Sequence, residues 1–103
     1  MLIKFFKKII YYYRHHFERK MYHRLCEYAE RGNVNAQFEL AQIYESGTLA
    51  IKKNFVDAYV LYIMAYLKGE NEALGCAQSL EKKMSYDELE LARKAAKCLG
   101  VSI

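Results

Sequence analysis

The sequence predicts an all-α protein of about five helices that fold as a single domain. The 103-residue chain contains no proline and only five glycines, which is too few for the many turns of a strand-rich domain. Apolar residues recur at the i, i+4 spacing of a helix along much of the chain. Hydrophobic residues make up 53% of the chain and charged residues 27%. This balance permits a packed core and excludes a disordered chain.

The first predicted element covers residues 2–31, which contain no proline and no glycine. We expect one long amphipathic helix, or two helices that meet near His15 and His16. An apolar residue recurs at every fourth position, and we interpret these residues as one stripe that packs inward: Phe5, Ile9, Tyr13, Phe17, Met21, Leu25 and Ala29. The flanking apolar positions are Leu2, Phe6, Ile10 and Tyr28. The opposite side is polar, with Lys4, Lys7, Lys8, Tyr11, Arg14, His15 and Glu18.

Glycines and N-cap residues bound the second and third predicted helices. Gly32 ends the first helix, and Gly47 ends the second, which covers residues 35–46. Asn54 precedes a third helix at about 55–68, and an acidic residue follows it three positions later. This arrangement is close to a capping box, so the start of the third helix is well marked.

The last two helices are predicted from the same signals. Small and apolar residues at helical spacing indicate a fourth helix at about 71–83. Ser85 and Glu88 form a capping box, which predicts a fifth helix at about 86–98 with Gly100 as its stop. Five helices with short connections predict an antiparallel stack.

The chain is partly self-similar with a period of about 37 residues. Residues 32–36 and 69–73 both run from a glycine to an alanine across three residues, which are polar except for Val34. At the same offset of 37 residues, Leu40 aligns with Ala77. Small and apolar residues therefore recur at matching positions of the predicted helices. A helix pair repeated with a period between about 20 and 50 residues predicts an α-solenoid. We therefore expect a short α-solenoid of antiparallel helix pairs, capped by the long basic N-terminal helix.

Residues 36–47 resemble the first helix of a Sel-one-like repeat, a relative of the tetratricopeptide repeat. Alanine, leucine, tyrosine and glycine occupy the positions of that pattern, at Ala36, Leu40, Tyr44 and Gly47. The second helix of the pattern is matched by Ala58, Leu61, Tyr62, Ala65 and Gly69. Ala41 stands where the family usually has glycine, and Tyr66 where it usually has alanine. The resemblance implies stacked helix pairs and a protein-binding function.

The repeat pattern divides the single domain, residues 1–103, into three parts. Residues 1–31 form the basic cap helix, residues 32–69 the best-matching repeat, and residues 70–103 a degenerate repeat with a C-terminal cap helix. The net charge of +4 is divided unevenly between these parts. Residues 1–24 contain seven basic residues and one acidic residue, a net charge of +6, and the remainder carries −2. The first helix therefore presents an unusually basic surface.

Catalytic and metal-binding patterns are not evident in the chain. Cys26, Cys76 and Cys98 are widely spaced and form no C-x-x-C pair, so we expect reduced thiols packed in the core. By spacing, His16 and His23 could share a helix face with Cys26, but no fourth ligand accompanies them. The chain has no phosphate-binding loop, nucleophile elbow or paired-carboxylate signature. We expect a protein that is not an enzyme and uses no cofactor, metal or small-molecule substrate.

The N-terminal residues superficially resemble a secretion signal. The apolar run stops at residues 11–13, Arg14 follows, and no small-residue cleavage site is present, which argues against secretion. No stretch approaches the roughly 18 uncharged apolar residues of a membrane-spanning helix. Together with the reduced thiols, these features predict a cytoplasmic protein.

The function expected from the sequence is the binding of a partner protein through the helical-repeat surface. The candidate contacts on the repeat are Gln37, Gln42, Glu45, Tyr59 and Tyr66, and core packing is an equally favoured role for the two tyrosines. The basic candidates on the first helix are Arg14, Arg19, Lys20 and Arg24. The family resemblance also implies a sharper hypothesis, because short proteins with such repeats occur in bacteria as immunity proteins that bind and neutralise a toxin domain.

Two alternative partners use the basic segment. Residues 1–13 have the composition of a helix that lies on an anionic membrane surface, through Lys4, Lys7, Lys8, Phe5, Phe6 and Ile9. The basic candidates of the first helix, interleaved with tyrosines, suit nucleic acid, although they match no known binding module. The sequence favours a protein partner over both alternatives.

Overall fold

The computed structural model describes residues 2–100, without the side chains of residues 2, 3, 5 and 6. This part of the chain forms five α-helices and no strand: α1 Leu2–Glu30, α2 Val34–Ser46, α3 Phe55–Leu67, α4 Glu72–Glu81 and α5 Tyr86–Cys98. The all-α prediction is confirmed, and each predicted helix is present with its ends shifted by at most two residues. The N-terminal segment is one continuous helix rather than two.

Helix caps explain where the helices begin. The capping box of α5 is confirmed, since the backbone N–H of Glu88 donates to Ser85 Oγ at 3.2 Å and the N–H of Ser85 donates to Glu88 Oε1 at 3.0 Å. Asn54 Oδ1 accepts from the N–H of Asp57 at 3.0 Å at the start of α3. Asn33 caps α2 in the same way, so α2 begins earlier than its hydrophobic pattern indicated.

The glycines predicted to end helices adopt the backbone conformation that this role requires. Gly32 has φ 91° and Gly47 has φ 73°, a left-handed region that other residues rarely occupy. At Gly47 a side chain would also meet the next part of the loop, because a Cβ there would lie 3.2 Å from the backbone nitrogen of Lys53. The tight exit from α2 therefore depends on glycine.

Helix α3 is the centre of the protein. It packs against α2, α4 and α5, whereas α1 packs against α2. The buried side chains of α3 are Ala58, Tyr59, Tyr62, Ile63 and Ala65. Small side chains face them from the neighbouring helices, which allows the backbones to approach closely. Helices α4 and α5 both pack mainly on α3, and the extension of this arrangement into a true α-solenoid remains a prediction.

The second half of α1 is attached to the body, which we define as helices α2 to α5. Ala29 packs in a buried cluster with Ala36 and Leu40 of α2. At the other end of this contact, Glu18 Oε2 accepts a hydrogen bond from the backbone N–H of Ala50 at 3.1 Å. The attachment therefore runs along α1 from Glu18 to Ala29, and it holds the α2–α3 loop against the helix.

The prediction that one apolar stripe of α1 packs inward is wrong for most of its described length. Tyr13 is 66% exposed, Phe17 64% and Met21 45%, and only Ala29 of the stripe is buried. The reason is geometric: each step of four residues rotates about 40° around a helix, so six steps cover about 240°. Residues spaced in this way wind around α1 instead of sharing a face. The side chains assigned to the stripe at Phe5, and to its flanks at Leu2 and Phe6, lie outside the described residues.

The expectation that all three cysteines pack in the core is also corrected. Cys26 and Cys76 are half-buried and pack against the core clusters as expected, whereas Cys98 is exposed at the end of α5. Cys98 occupies the last helical position, beyond the buried alanines by which α5 contacts the core, so no neighbouring helix covers it in the described structure.

The close packing around α3 generates a test of stability. Ala41 of α2 is fully buried in the cluster that contains Tyr62 and Ile63, so Ala41→Leu must displace neighbouring side chains. We expect a loss of about 1–3 kcal/mol in the free energy of unfolding, measured by urea denaturation. Glu39→Leu on the exposed side of the same helix is the control, with an expected change within about 0.5 kcal/mol. Equal effects of the two substitutions would contradict this account of the core.

Candidate functional site

Two surfaces concentrate side chains that are able to bind a partner. The first, the α2–α4 groove, is an open depression of about 540 Å³. It is lined by Gln42, Glu45, Ser46, Lys53, Phe55, Tyr62, Cys76 and Lys83. The second, the projecting segment, comprises residues 7–17 of α1, which precede the attachment of that helix to the body. The groove is built by three helices, whereas the projecting segment belongs to one.

Glu45 of α2 organises the α2–α4 groove. Its Oε1 atom accepts a hydrogen bond from the Tyr62 hydroxyl at 2.7 Å, and its Oε2 atom accepts from the Lys83 ammonium at 3.3 Å. Tyr62 belongs to α3 and Lys83 follows the end of α4, so one carboxylate connects three elements. Burial and the hydrogen bond to Glu45 raise the pKa of Tyr62 well above its usual range. The hydroxyl therefore remains a donor at neutral pH.

The rim of the groove carries both signs of charge beside an aromatic ring. The Lys53 ammonium lies 4.9 Å from the centre of the Phe55 ring, a cation–π contact at the start of α3. Gln42 is exposed on the α2 side and offers an amide donor and acceptor. A partner segment would thus meet a carboxylate, an amide, a cation and a ring within one surface.

The thiol in the groove is not an activated nucleophile. Burial raises the pKa of Cys76, and the negative charge of Glu45 adds to this effect. A thiol with a raised pKa stays protonated at neutral pH, and it is the thiolate that attacks electrophiles. The Cys76 thiol is therefore protonated and weakly reactive at neutral pH.

The projecting segment presents aromatic rings to solvent. Ile10 is 60% exposed, Tyr12 67% and Tyr13 66%. Rings one turn apart stack along the helix, with the Tyr12 and His16 rings nearly parallel and their centres 6.4 Å apart. A shallow depression of about 460 Å³ follows this side of α1 and is lined by Tyr11, Tyr12, His15, His16, Arg19, Lys20 and His23. The segment thus combines exposed aromatic and basic groups, and within it Phe17 borders a depression shared with α2 and the α2–α3 loop.

Two classes of feature are not found in the described part of the chain. Within residues 2–100, no three histidine, cysteine, aspartate or glutamate side chains lie close enough together to hold a metal ion. The five helices described also include none with the length and apolar character needed to cross a bilayer.

The structure brings two of the predicted contacts together and excludes two others. Gln42 and Glu45 both line the α2–α4 groove. Gln37 was expected to be an exposed contact, and this is wrong, because it is 0% exposed; of the two roles equally favoured for Tyr59, core packing is the one observed, since Tyr59 is 1% exposed. Gln37 turns inward to donate from Nε2 to the backbone oxygen of Ala29 at 3.1 Å, which satisfies a carbonyl near the end of α1.

Tyr59 is buried for a different reason. Its ring lies in the core around α3, and its hydroxyl donates to Glu81 Oε1 of α4 at 3.0 Å. Tyr66, the other tyrosine for which core packing was an equal alternative, is half-buried and packs against the same core. Both tyrosines therefore contribute to the core and neither lines the α2–α4 groove.

The predicted basic contacts of α1 are exposed but do not form one patch. Arg14, Arg19 and Lys20 are all exposed, and their spacings of five and six residues place them on different sides of a helix that advances about 100° per residue. Arg24 lies one turn after Lys20 and is also exposed. Arg19 and Lys20 border the depression on α1, whereas Arg14 and Arg24 lie outside it.

Sequence reasoning missed several residues of the groove. The groove is also lined by Lys53, Phe55 and Lys83. Lys53 and Phe55 lie at the start of α3, whereas Lys83 follows the end of α4, so the three residues share no local motif. The one available signal was the predicted cap at Asn54, because it places its neighbours Lys53 and Phe55 at the mouth of α3. Lys83 had no comparable signal, since only the packing of α4 on α3 brings it to Glu45.

Comparisons of the chain with protein-family models, with curated proteins and with solved structures found no match. The resemblance to Sel-one-like repeats therefore stays an expectation that rests on the residues of the chain alone.

Burial of Tyr59 generates a prediction of pH dependence. Burial and the hydrogen bond to Glu81 raise the pKa of Tyr59 to about 12, whereas an unfolded tyrosine titrates near pH 10. Above pH 10 the Tyr59 hydroxyl loses its proton in the unfolded state before it does so in the folded state. The stability that this hydroxyl contributes is therefore complete below pH 10 and disappears as the pH approaches 12. Urea unfolding at pH 8 and pH 11 should show a smaller decrease in stability for Tyr59→Phe than for the wild type.

The matched control is Tyr86→Phe, because Tyr86 is 81% exposed. This variant should retain the pH dependence of the wild type. At pH 8, Tyr59→Phe should cost about 1 kcal/mol through the lost hydrogen bond. An unchanged pH dependence in Tyr59→Phe would refute the assignment.

Proposed function

We propose that this protein is a non-catalytic interaction module that binds a segment of a partner protein in the α2–α4 groove. The observation that carries the proposal is the arrangement around Glu45, where three elements converge on one carboxylate beside Lys53, Phe55 and Gln42. The Glu45 carboxylate is held by its bonds to Tyr62 and Lys83, so little conformational entropy of this group is lost when a partner binds. The mixture of charge, amide and ring in the groove complements a peptide chain.

The shape of the groove favours a protein partner over a small molecule. Small-molecule sites usually enclose their ligand in a mostly apolar cavity. The α2–α4 groove is instead open and bordered by the flexible side chains of Lys53 and Lys83. Charged groups at such a rim determine which partners are accepted and how quickly they associate, more than they determine affinity.

The resemblance to Sel-one-like repeats supports the same class of function and suggests a partner. Short bacterial proteins with such repeats include immunity proteins, so we propose a toxin domain as the partner. Inhibition would follow from occupying the surface of the toxin and would require no chemistry from this chain. We place this activity in the cytoplasm, where the cysteines would remain reduced.

The proposal is tested by purifying the protein together with the product of the adjacent gene and measuring the affinity of the complex. Gln42→Arg places a bulky cation in the groove and should weaken the complex about tenfold or more, because the arginine occupies space that the partner segment needs and removes the amide contact. Gln78→Arg is the matched control, because Gln78 is exposed on α4 and does not line the groove. Its effect should be less than about twofold.

Two results would contradict the proposal. One is the absence of any complex at micromolar concentrations. The other is a complex that Gln42→Arg and Gln78→Arg weaken equally, because binding would then not involve the groove.

A further inference from the structure

We infer that the projecting segment of α1 lies on an anionic lipid bilayer, with its outward side in the membrane interface and the body held on the far side of the helix. This inference concerns a different surface from the α2–α4 groove and does not depend on the proposed function. It rests on how the body is attached to α1, which sides of the segment are apolar, and where its charges lie.

The body is attached to one side of α1. Glu18 bonds the backbone of Ala50, the Tyr22 hydroxyl contacts the Tyr44 hydroxyl of α2, and Ala29 is buried against α2. These three α1 residues are spaced by four and seven, which places them on the same side of a helix with 3.6 residues per turn. We call this side the body side of α1.

The apolar side of the projecting segment lies opposite the body side. Tyr13 precedes Tyr22 by nine residues, or two and a half turns, so the two side chains leave the helix in opposite directions. Ile9 and Phe17 lie one turn on either side of Tyr13, and Ile10 adjoins them. We call these four residues the outward face: Ile9, Ile10, Tyr13 and Phe17. Of these, Ile10, Tyr13 and Phe17 are each at least 60% exposed.

The body leaves most of the outward face open, because it is attached to the other side of the same helix; only Phe17, at the end of the face, borders a depression shared with α2 and the α2–α3 loop. An exposed cluster of large apolar side chains on a small protein marks a surface that meets something else. The cluster also has a defined end. Lys20 and Arg24, both exposed, follow Phe17 on the outward side and interrupt the apolar pattern. The outward face is therefore densest before Glu18, although Met21 and Tyr28, which are 45% and 50% exposed, lie near the same side farther along α1.

The charges around the outward face complement an anionic bilayer. Residues 7–17 contain no acidic side chain, and Lys7, Lys8 and Arg14 are exposed. Lys7 and Arg14 are seven residues apart and lie between the body side and the outward face, from which long basic side chains reach lipid phosphates. Arg19 and Lys20 border the depression on α1. The net charge of +6 in residues 1–24 supplies long-range attraction to anionic lipid.

The composition and geometry favour a bilayer over the other anionic partners. Tyrosine rings with flanking lysine and arginine are typical of the membrane interface, since an apolar ring and a polar hydroxyl suit that region. Nucleic acid would be matched by basic residues gathered on one side, and Arg14, Arg19 and Lys20 instead lie on different sides of α1. An apolar face directly opposite the body also lets the helix lie flat without a clash.

Tryptophan fluorescence provides the first test, since the chain contains no tryptophan. Tyr13→Trp and Tyr11→Trp of the full chain each introduce one fluorophore. Tyr11 precedes Glu18 by seven residues and thus lies on the body side. On vesicles of equal phosphatidylcholine and phosphatidylglycerol, the emission of Tyr13→Trp should shift to shorter wavelength and be quenched by brominated acyl chains. Tyr11→Trp should show a much smaller shift and little quenching.

The second test is vesicle flotation at 0.1 M salt with Tyr13→Glu and Tyr11→Glu. Both substitutions add the same negative charge, and both sites are at least 54% exposed. Tyr13→Glu should reduce the partition coefficient about tenfold more than Tyr11→Glu, because only Tyr13 loses an apolar contact with lipid. Circular dichroism checks that helix content is unchanged. Gln42→Arg should leave vesicle binding intact, which separates this test from that of the groove.

The inference is overturned by any of three results. The first is that the wild-type protein fails to bind the anionic vesicles even at low salt. The second is that vesicle binding of the two glutamate variants is weakened equally, and the third is that both tryptophan variants show the same emission. Tighter binding of the wild type to duplex DNA than to vesicles at 0.1 M salt would also overturn it. The inference would also be overturned if a protein partner shielded the fluorophore of the Tyr13→Trp variant from solvent and the variant did not partition into lipid.

Discussion

The hydrogen bond from Tyr62 to Glu45 links the core of this protein to its surface. The ring of Tyr62 is buried on α3 and meets the Phe38 ring of α2 edge-on, with ring centres 5.6 Å apart, while its hydroxyl reaches the α2–α4 groove. Because the ring cannot move without disturbing the core, the carboxylate it holds is fixed as well. Lys83 then pairs with that carboxylate, so the packing of α2, α3 and α4 determines the chemistry of the groove.

Small residues make this arrangement possible. Alanines occupy most of the buried positions contributed by α2, α4 and α5, and they let three helices approach α3 closely enough to bury two tyrosine rings. Tyr59 and Tyr62 then use their hydroxyl groups to reach acidic residues of the neighbouring helices. The core is therefore held by close backbone packing and by hydrogen bonds at its border, and burial raises the pKa of both tyrosines.

Helix α1 meets two different environments along its length. From Glu18 onward, one side is shaped for the body, whereas Ile9, Ile10 and Tyr13 lie on the opposite side of the segment that precedes Glu18. A helix that only capped the stack would keep its apolar residues on one side. The apolar side of α1 changes gradually along the helix, which is why apolar residues at every fourth position suggested a single stripe. The same change is the basis for inferring that α1 makes a second interaction in addition to its contact with the body.

The helix boundaries illustrate what local chemistry can predict. Ser85 with Glu88, Asn54 with Asp57, and the glycines at positive φ were all evident in the chain, because caps and stops depend on neighbouring residues alone. Gln37 and Tyr59 show the limit of this approach. Both have a polar group, which suggested exposure, yet each finds its partner on another helix.

The sequence by itself determined the all-α class, the number of helices and the concentration of positive charge in the first helix. Those properties depend on composition and on spacings within a few residues. Only the tertiary structure decided which side of α1 faces the body, which polar side chains are buried, and that Gln42, Glu45, Lys53 and Lys83 share one groove. Each of these outcomes depends on contacts between helices that are distant in the chain, and local periodicity carries no information about them.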